Sequence, residues 1–292
     1  MRIYATYNVK GGVGKTSAAV NLAYLASRDG RKTLLWDLDA QAAATYLFRV
    51  RPRVKGGGKA LVRGARPLDA AIKGTDFENL DLLPADFTYR KLDLRLHEAN
   101  RPTRQIARLL APLAGEYDAV FLDCPPSISL VTENVLHAAD ALIVPLIPTP
   151  LCTRTLDQLT TFVGALNGRR PAIVAFFSMA DRRKKLHRDI LADLPGQRAD
   201  VAGAAIPALS VIEQMAVRRA PLPVYSPRGV ATRRYRELWR EISAWPATAP
   251  TDRPVRRGGN QPSIRRISQV DDREEGVSDA SSPPEPRRAL RA

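Results

Sequence analysis

At 292 residues, 45% of them hydrophobic and only two of them cysteine, the chain is long enough to bury a sizeable core and carries no disulfide framework. No apolar run approaches the roughly 20 residues of a membrane span and no signal peptide leads the chain, so composition predicts a cytoplasmic protein. A formal net charge of +15 and a pI near 10.3 point to a polyanionic partner, nucleic acid first and an anionic membrane surface second. From Pro246 onward nine arginines face seven acids, which leaves 36 minus 23, or +13, on the preceding residues. The charge therefore belongs to the part expected to fold.

In chain order, Ile3 to Tyr7 reads as a short apolar strand that delivers the chain to Asn8-Val9-Lys10-Gly11-Gly12-Val13-Gly14-Lys15-Thr16-Ser17. Glycines at 11, 12 and 14 permit a tight turn whose amides point at an anion, and a helix predicted from Lys15 to Arg28 aims its positive end at the same place. Lys15 suits the terminal phosphates of a nucleotide, and the Thr16 hydroxyl suits the shell of a bridging Mg2+ ion. Thr33 to Trp36 is a buried parallel strand. Asp37 and Asp39 follow at its carboxyl end, where open α/β sheets bind ligands. Spaced by two on an extended segment they face the same side, and one of them, near a magnesium ion and a water, is suited to orienting that water.

Residues 49 to 67, rich in Arg, Lys, Pro and Gly, read as a mobile loop. A strand at 80–83 and helices at 87–98 and 103–113 are expected next. Tyr117 to Asp123 is an apolar strand ending in an acid, and Asp123 is placed to hold magnesium. Cys124 and Cys152 read as small core residues. Further strands are predicted at 141–145 and 173–177, with a helix at 153–166 between them. The last helix, Ala231 to Ala244, has a core face of Tyr235, Leu238, Trp239 and Ile242. Arg233, Arg236 and Arg240 fall together on another side, and Arg182, Arg183 and Lys184 open an earlier helix; each set fits DNA phosphates or a solvated face. Beyond Pro246 the composition predicts a disordered tail, giving a folded domain of 1–245 and a tail of 246–292.

Lys10 directly before the glycine pair gives K-G-G-V-G-K-T, and this variant P-loop resembles that of the ParA/MinD family of partition and positioning ATPases. The segments Asp37 to Gln41 and D-C-P-P-S at 123–127 resemble the same family, and Asn134 matches a common asparagine. The resemblance implies a doubly wound, mainly parallel P-loop sheet that binds ATP and Mg2+, with Lys10, Lys15 and Asp39 catalytic, and it assigns the orienting of the water to Asp39, with Asp37 supporting it near the metal. Lys10 would reach the partner's ATP across a homodimer formed on ATP binding. It further implies that Met179, Asp181 and Pro207 adjoin the adenine, although Ala180 stands where the family usually has tyrosine and Ala208 where it has arginine. Ala40, Ala42 and Ala43 depart from the family's Pro and Gly-Asn. A centromere-binding or cargo-adaptor protein would stimulate hydrolysis and release the dimer from nonspecific DNA. The alternative is a positioning factor for a protein assembly or membrane site, although nothing in the tail resembles a membrane-inserting amphipathic helix.

Overall fold

The computed structural model describes residues 1–65 and 67–246, so the predicted tail lies outside the described residues apart from Pro246. The body is one eight-stranded sheet of β1 (Arg2–Thr6), β2 (Thr33–Asp37), β3 (Lys73–Gly74), β4 (Leu80–Leu83), β5 (Ala119–Asp123), β6 (Ala141–Leu146), β7 (Ala172–Ala180) and β8 (Val201–Pro207), in the order β3-β4-β2-β5-β1-β6-β7-β8. Every pairing is parallel except β3 on β4. The doubly wound, mainly parallel P-loop architecture is thus as the sequence predicts.

The central strands β2, β5 and β6 are buried at every position because both faces are covered, and their interiors are apolar, with polar residues only at the ends of β2 and β5. Alternation sends Leu34, Trp36, Val120 and Leu122 to one core and Leu35, Ala119 and Phe121 to the other. The second core is closed by the helices Lys15–Arg28 and Val230–Ala244. Ala18, Ala19, Ala23 and Ala26 are fully buried there, and their small side chains let the first helix lie close to the sheet. The last helix packs Tyr235, Leu238, Trp239 and Ile242 inward, and Trp239 Nε1 donates to Asp29 Oδ2 at 2.6 Å. Arg2 donates to the carbonyls of Ser243 and Trp245 and so satisfies the end of that helix. Glu241 on the same helix accepts the Gly203 and Ala204 amides at 2.7 and 2.9 Å, where β8 loses register with β7.

The 49–67 segment departs from its predicted looseness. It contains a helix, Gly57–Arg63, whose Leu61 and Val62 enter the first core. The glycines that suggested a loop are packing glycines: a Cβ on Gly57 would meet Thr88 Oγ1 at 2.5 Å, and one on Gly58 would meet Leu92 Cδ1 at 3.2 Å. Asp86 fixes both sides, with Oδ2 accepting the Val54 amide and Oδ1 accepting the Thr88 amide and hydroxyl. The two helices expected at 87–98 and 103–113 are each part 3-10, leaving α-helices at Leu92–His97 and Gln105–Leu110. Asn134 ties the second of these in place, its Oδ1 accepting the Gln105 amide at 2.7 Å.

Candidate nucleotide-binding site

Parallel pairing sets Thr6, Asp123 and Asp37 in one row across β1, β5 and β2, at the carboxyl ends of neighbouring strands. The glycine loop leaves β1 beside that row. Asn8 braces the loop, its Nδ2 donating to Pro145 O at 2.8 Å and its Oδ1 accepting the Lys10 amide at 2.9 Å. Sequence reading gave Asn8 no role, because its partner lies 137 residues away. Gly12 and Gly14 have φ of 70° and 92°, a region in which a Cβ is strained. Ser178 Oγ also sits where a Cβ on Gly14 would come within 2.8 Å.

Lys15 is buried, and its Nζ donates to Lys10 O at 2.9 Å. Burial lowers its pKa, against the pull of the nearby Asp123 carboxylate. Asp123 is fully buried; Oδ1 accepts from Thr6 Oγ1 at 3.3 Å, and Oδ2 has no partner. Burial first, and the Asp37 charge second, push its carboxyl upward, while the Thr16 hydroxyl pulls it down. An orphaned buried carboxylate oxygen next to a threonine hydroxyl calls for a cation or its water. Among the described residues no cluster of three His, Cys, Asp or Glu forms a cage. That donor set suits magnesium, which keeps several waters and leans on substrate phosphates rather than on a protein cage.

Asp37, for which a metal role is expected, is engaged by the loop that follows it. Its Oδ2 accepts both the amide and the hydroxyl of Thr45, at 2.8 and 2.7 Å, and its Oδ1 accepts the Asp39 amide at 3.2 Å. Both oxygens thus hold the following loop. Asp39 lines the cleft; its Oδ1 accepts the Gln41 amide at 2.9 Å, which leaves Oδ2 free to accept from a water. Ala42, which departs from the family's glycine, nevertheless takes φ 57°, so the loop keeps the left-handed turn without the residue that makes it easy.

Asp39 lines one cleft of about 370 Å³ together with Gly11, Gly12, Gly14, Lys15, Thr16 and Ser17. Val13 is buried beneath the loop. Met179, Ile206, Pro207, Ala208, Leu209 and Ile212 form an apolar end. Ala180 pairs with Pro207 across β7 and β8, and the Ala208 amide donates to Ala180 O at 3.0 Å, so the Met179 and Pro207 walls are fixed to each other. Met179 is held at φ 54°, a strained conformation for a residue of its size. Asp181 does not join the cleft lining. Its carboxylate is forked to Arg183, with Nε and Nη2 each at 2.9 Å, and those hydrogen bonds hold its pKa well below the usual carboxylate range. Glu213, which the sequence reading passed over, lines the cleft instead.

Of the basic residues, Arg182, Arg183 and Lys184 are exposed in the turn after β7. Arg233 and Arg240 are exposed on the last helix, while Arg236 is half-buried and donates to Pro227 O at 3.0 Å. Arg236 and Arg240 border a second cleft with Arg28 and Trp239.

A family profile described as an AAA domain matches residues 1–173. The chromosome partitioning protein ParA of Caulobacter vibrioides is 31% identical over 251 residues, which cover 83% of this chain and 94% of that protein. The sporulation initiation inhibitor protein Soj of Bacillus subtilis is 29% identical over 250 residues, or 83% of this chain and 98% of Soj. Among solved structures, cobyrinic acid a,c-diamide synthase from Mycobacterium smegmatis, with a bound ATP analogue and magnesium, superposes with a TM-score of 0.71 at 27% identity over 83% of this chain and 94% of the synthase.

Proposed function

The chain belongs to the ParA-type partition ATPases of the ParA/MinD family, and from that premise we propose that it is an ATP-driven DNA-partition switch. ATP would lie with its phosphates on the amides of residues 11 to 17 and its base between Met179 and Pro207. The structural similarity to a synthase that holds an ATP analogue and magnesium supports this pose. Thr16 and Asp123 would hold the magnesium, which when bound neutralises the charge shared by the outer phosphates. Lys15 exchanges the Lys10 carbonyl for a phosphate oxygen, so its charge is stored at the site before the ligand arrives. Asp39 orients the attacking water through its free oxygen.

The observation that carries the reading is the placement of Lys10. Its amide is fixed by Asn8 and its carbonyl by Lys15, yet its side chain is exposed and its ammonium makes no ion pair among the described residues. A lysine at the head of a phosphate loop whose own phosphates are served by Lys15 has a role for a second subunit's nucleotide. In this reading two chains close face to face around two ATP molecules and bind DNA nonspecifically through Arg182, Arg183, Lys184, Arg233, Arg236 and Arg240. They separate when an adaptor protein, such as a centromere-binding partner, stimulates hydrolysis. The location is cytoplasmic, on the nucleoid while ATP is bound.

Two measurements test this. Light scattering with ATP and the hydrolysis-slowed Asp39→Ala background should give a dimer that Lys10→Ala abolishes while nucleotide binding persists; an unchanged dimer removes the sandwich. Binding to a random DNA duplex should appear with ATP, vanish with ADP or no nucleotide, and fall steeply with salt. DNA ignored at low salt by an ATP-bound chain would turn the positive charge toward anionic liposomes or a protein assembly.

A further inference from the structure

The cleft's apolar end contains few side chains able to read a base. Resting on the ATP reading above, the question is which group distinguishes one purine from another. Three polar side chains line the cleft beyond the glycine loop, Asp39 and Pro126: Ser178, Tyr235 and Glu213. Ser178 Oγ abuts Gly14 and so sits at the phosphate end. Tyr235 is 1% exposed, packed in the core with its hydroxyl toward Asn21. Asp181 is spent on Arg183 and does not line the cleft.

Glu213 remains, and it is exposed, with no ion pair or side-chain hydrogen bond among the described residues. The turn that carries it, Ser210–Glu213, is nonetheless fixed. Tyr225 OH donates to Val211 O at 2.7 Å, the Gln214 amide donates to Ser210 O at 3.1 Å, and the Ala208 amide ties the preceding residues to Ala180, next to Met179. An acceptor-only carboxylate is thereby set beside the slot between Met179 and Pro207.

We propose that Glu213 is the residue that selects the base, its carboxylate accepting a hydrogen bond from the exocyclic amine of a 6-aminopurine. A 6-oxopurine would turn a carbonyl oxygen toward the same carboxylate, acceptor against acceptor, and is thereby disfavoured. The site therefore takes ATP in preference to GTP through a side chain outside the phosphate-loop and acidic motifs.

The test is equilibrium titration of the full chain with fluorescent N-methylanthraniloyl ATP and GTP in magnesium, for wild type, Glu213→Ala and Glu213→Gln. Tripolyphosphate competition serves as a control for the phosphate end. A charge-assisted hydrogen bond at an exposed site corresponds to roughly a tenfold change in affinity. Glu213→Ala should weaken ATP by about that factor with GTP unchanged or tightened, while Glu213→Gln, whose amide can donate to a 6-oxo group, should move the preference furthest toward GTP. Tripolyphosphate should compete equally in all three. An ATP:GTP ratio within about twofold of wild type in both variants, with wild type binding ATP, overturns the assignment and leaves the nucleotide reading standing. A wild-type chain that binds neither nucleotide overturns both.

Discussion

Thr45→Val tests the reading of Asp37 as an anchor rather than a metal ligand. The Thr45 hydroxyl is fully buried and does two things: it donates to Asp37 Oδ2 at 2.7 Å and accepts the Ala85 amide at 2.8 Å. Valine keeps the shape and removes both bonds. A hydrogen bond to a charged group contributes about 1.5–3 kcal/mol, and a buried amide left without a partner costs about 1–3 kcal/mol. Asp37 keeps the amides of Thr45 and Asp39, so part of the first loss is absorbed. The expected destabilisation is about 3 kcal/mol, a large share of the roughly 5–15 kcal/mol that holds a native domain together. Thr45→Ser is the control, because it keeps the hydroxyl and loses only a methyl, at about 1 kcal/mol. Urea unfolding at matched m-values separates the two variants. If Thr45→Val falls within about 1 kcal/mol of Thr45→Ser, the hydroxyl is not what holds this corner, and Asp37 is released to serve the metal after all.

Ala42→Gly should stabilise the chain. Relief of a left-handed alanine is worth about 1–2 kcal/mol and the added freedom of the unfolded glycine costs about 0.5–1 kcal/mol, so a Tm higher by about 2 °C is expected and a lower one refutes the strain. Gly14→Ala should abolish nucleotide binding, and adding Ser178→Ala should restore only part of it, since the clash at 2.8 Å is removed but the strain at φ 92° stays; full restoration would assign the whole effect to crowding. Burial pushes the Asp86 carboxyl up, but the Thr88 hydroxyl, the Val54 and Thr88 amides and Arg53 outweigh it, so its pKa lies below the ordinary value. Its contribution is therefore full above about pH 4, the unfolded value, and is lost as pH falls through the lower folded one. Asp86→Asn should show that loss at neutral pH as early tryptic cleavage among Arg51, Arg53, Lys55, Lys59 and Arg63, and cleavage unchanged from wild type would contradict it.

Some of these features were legible in the sequence and others were not. The phosphate loop, Asp39 and Asp123 stand out because their signals are local, an apolar strand and then the chemistry within a few residues. Strands β1, β2, β4, β5, β6 and β7 were equally legible, since a sheet covered on both faces requires apolar runs, whereas the two-residue β3 and β8, whose run of small residues is broken by an exposed Gly203, gave no such signal. Misreadings arose wherever a distant partner decides the outcome. Gly57 and Gly58 read as a flexible loop until Thr88 and Leu92 are seen against them. Asp181 looked available until the fork from Arg183 is seen. The engagement of Asp37 by Thr45, eight residues on, was invisible because it has no motif. Glu213 gave no signal because a four-residue helix has no period to read.

The carboxylate of Glu241 on the shifted stretch of β8 also bears on how copies of this chain can meet. A parallel sheet that ends in a bare strand invites a second molecule to add its own strand and grow into a fibre. Here the middle of that border is occupied from within, because the Gly203 and Ala204 amides are already taken. At the opposite border β3 is two residues long, with an exposed lysine, too short to template pairing. Capped at one border and cut short at the other, the sheet offers a second chain little backbone to pair with, which works against polymerisation through the sheet where the chain is crowded at high local concentration.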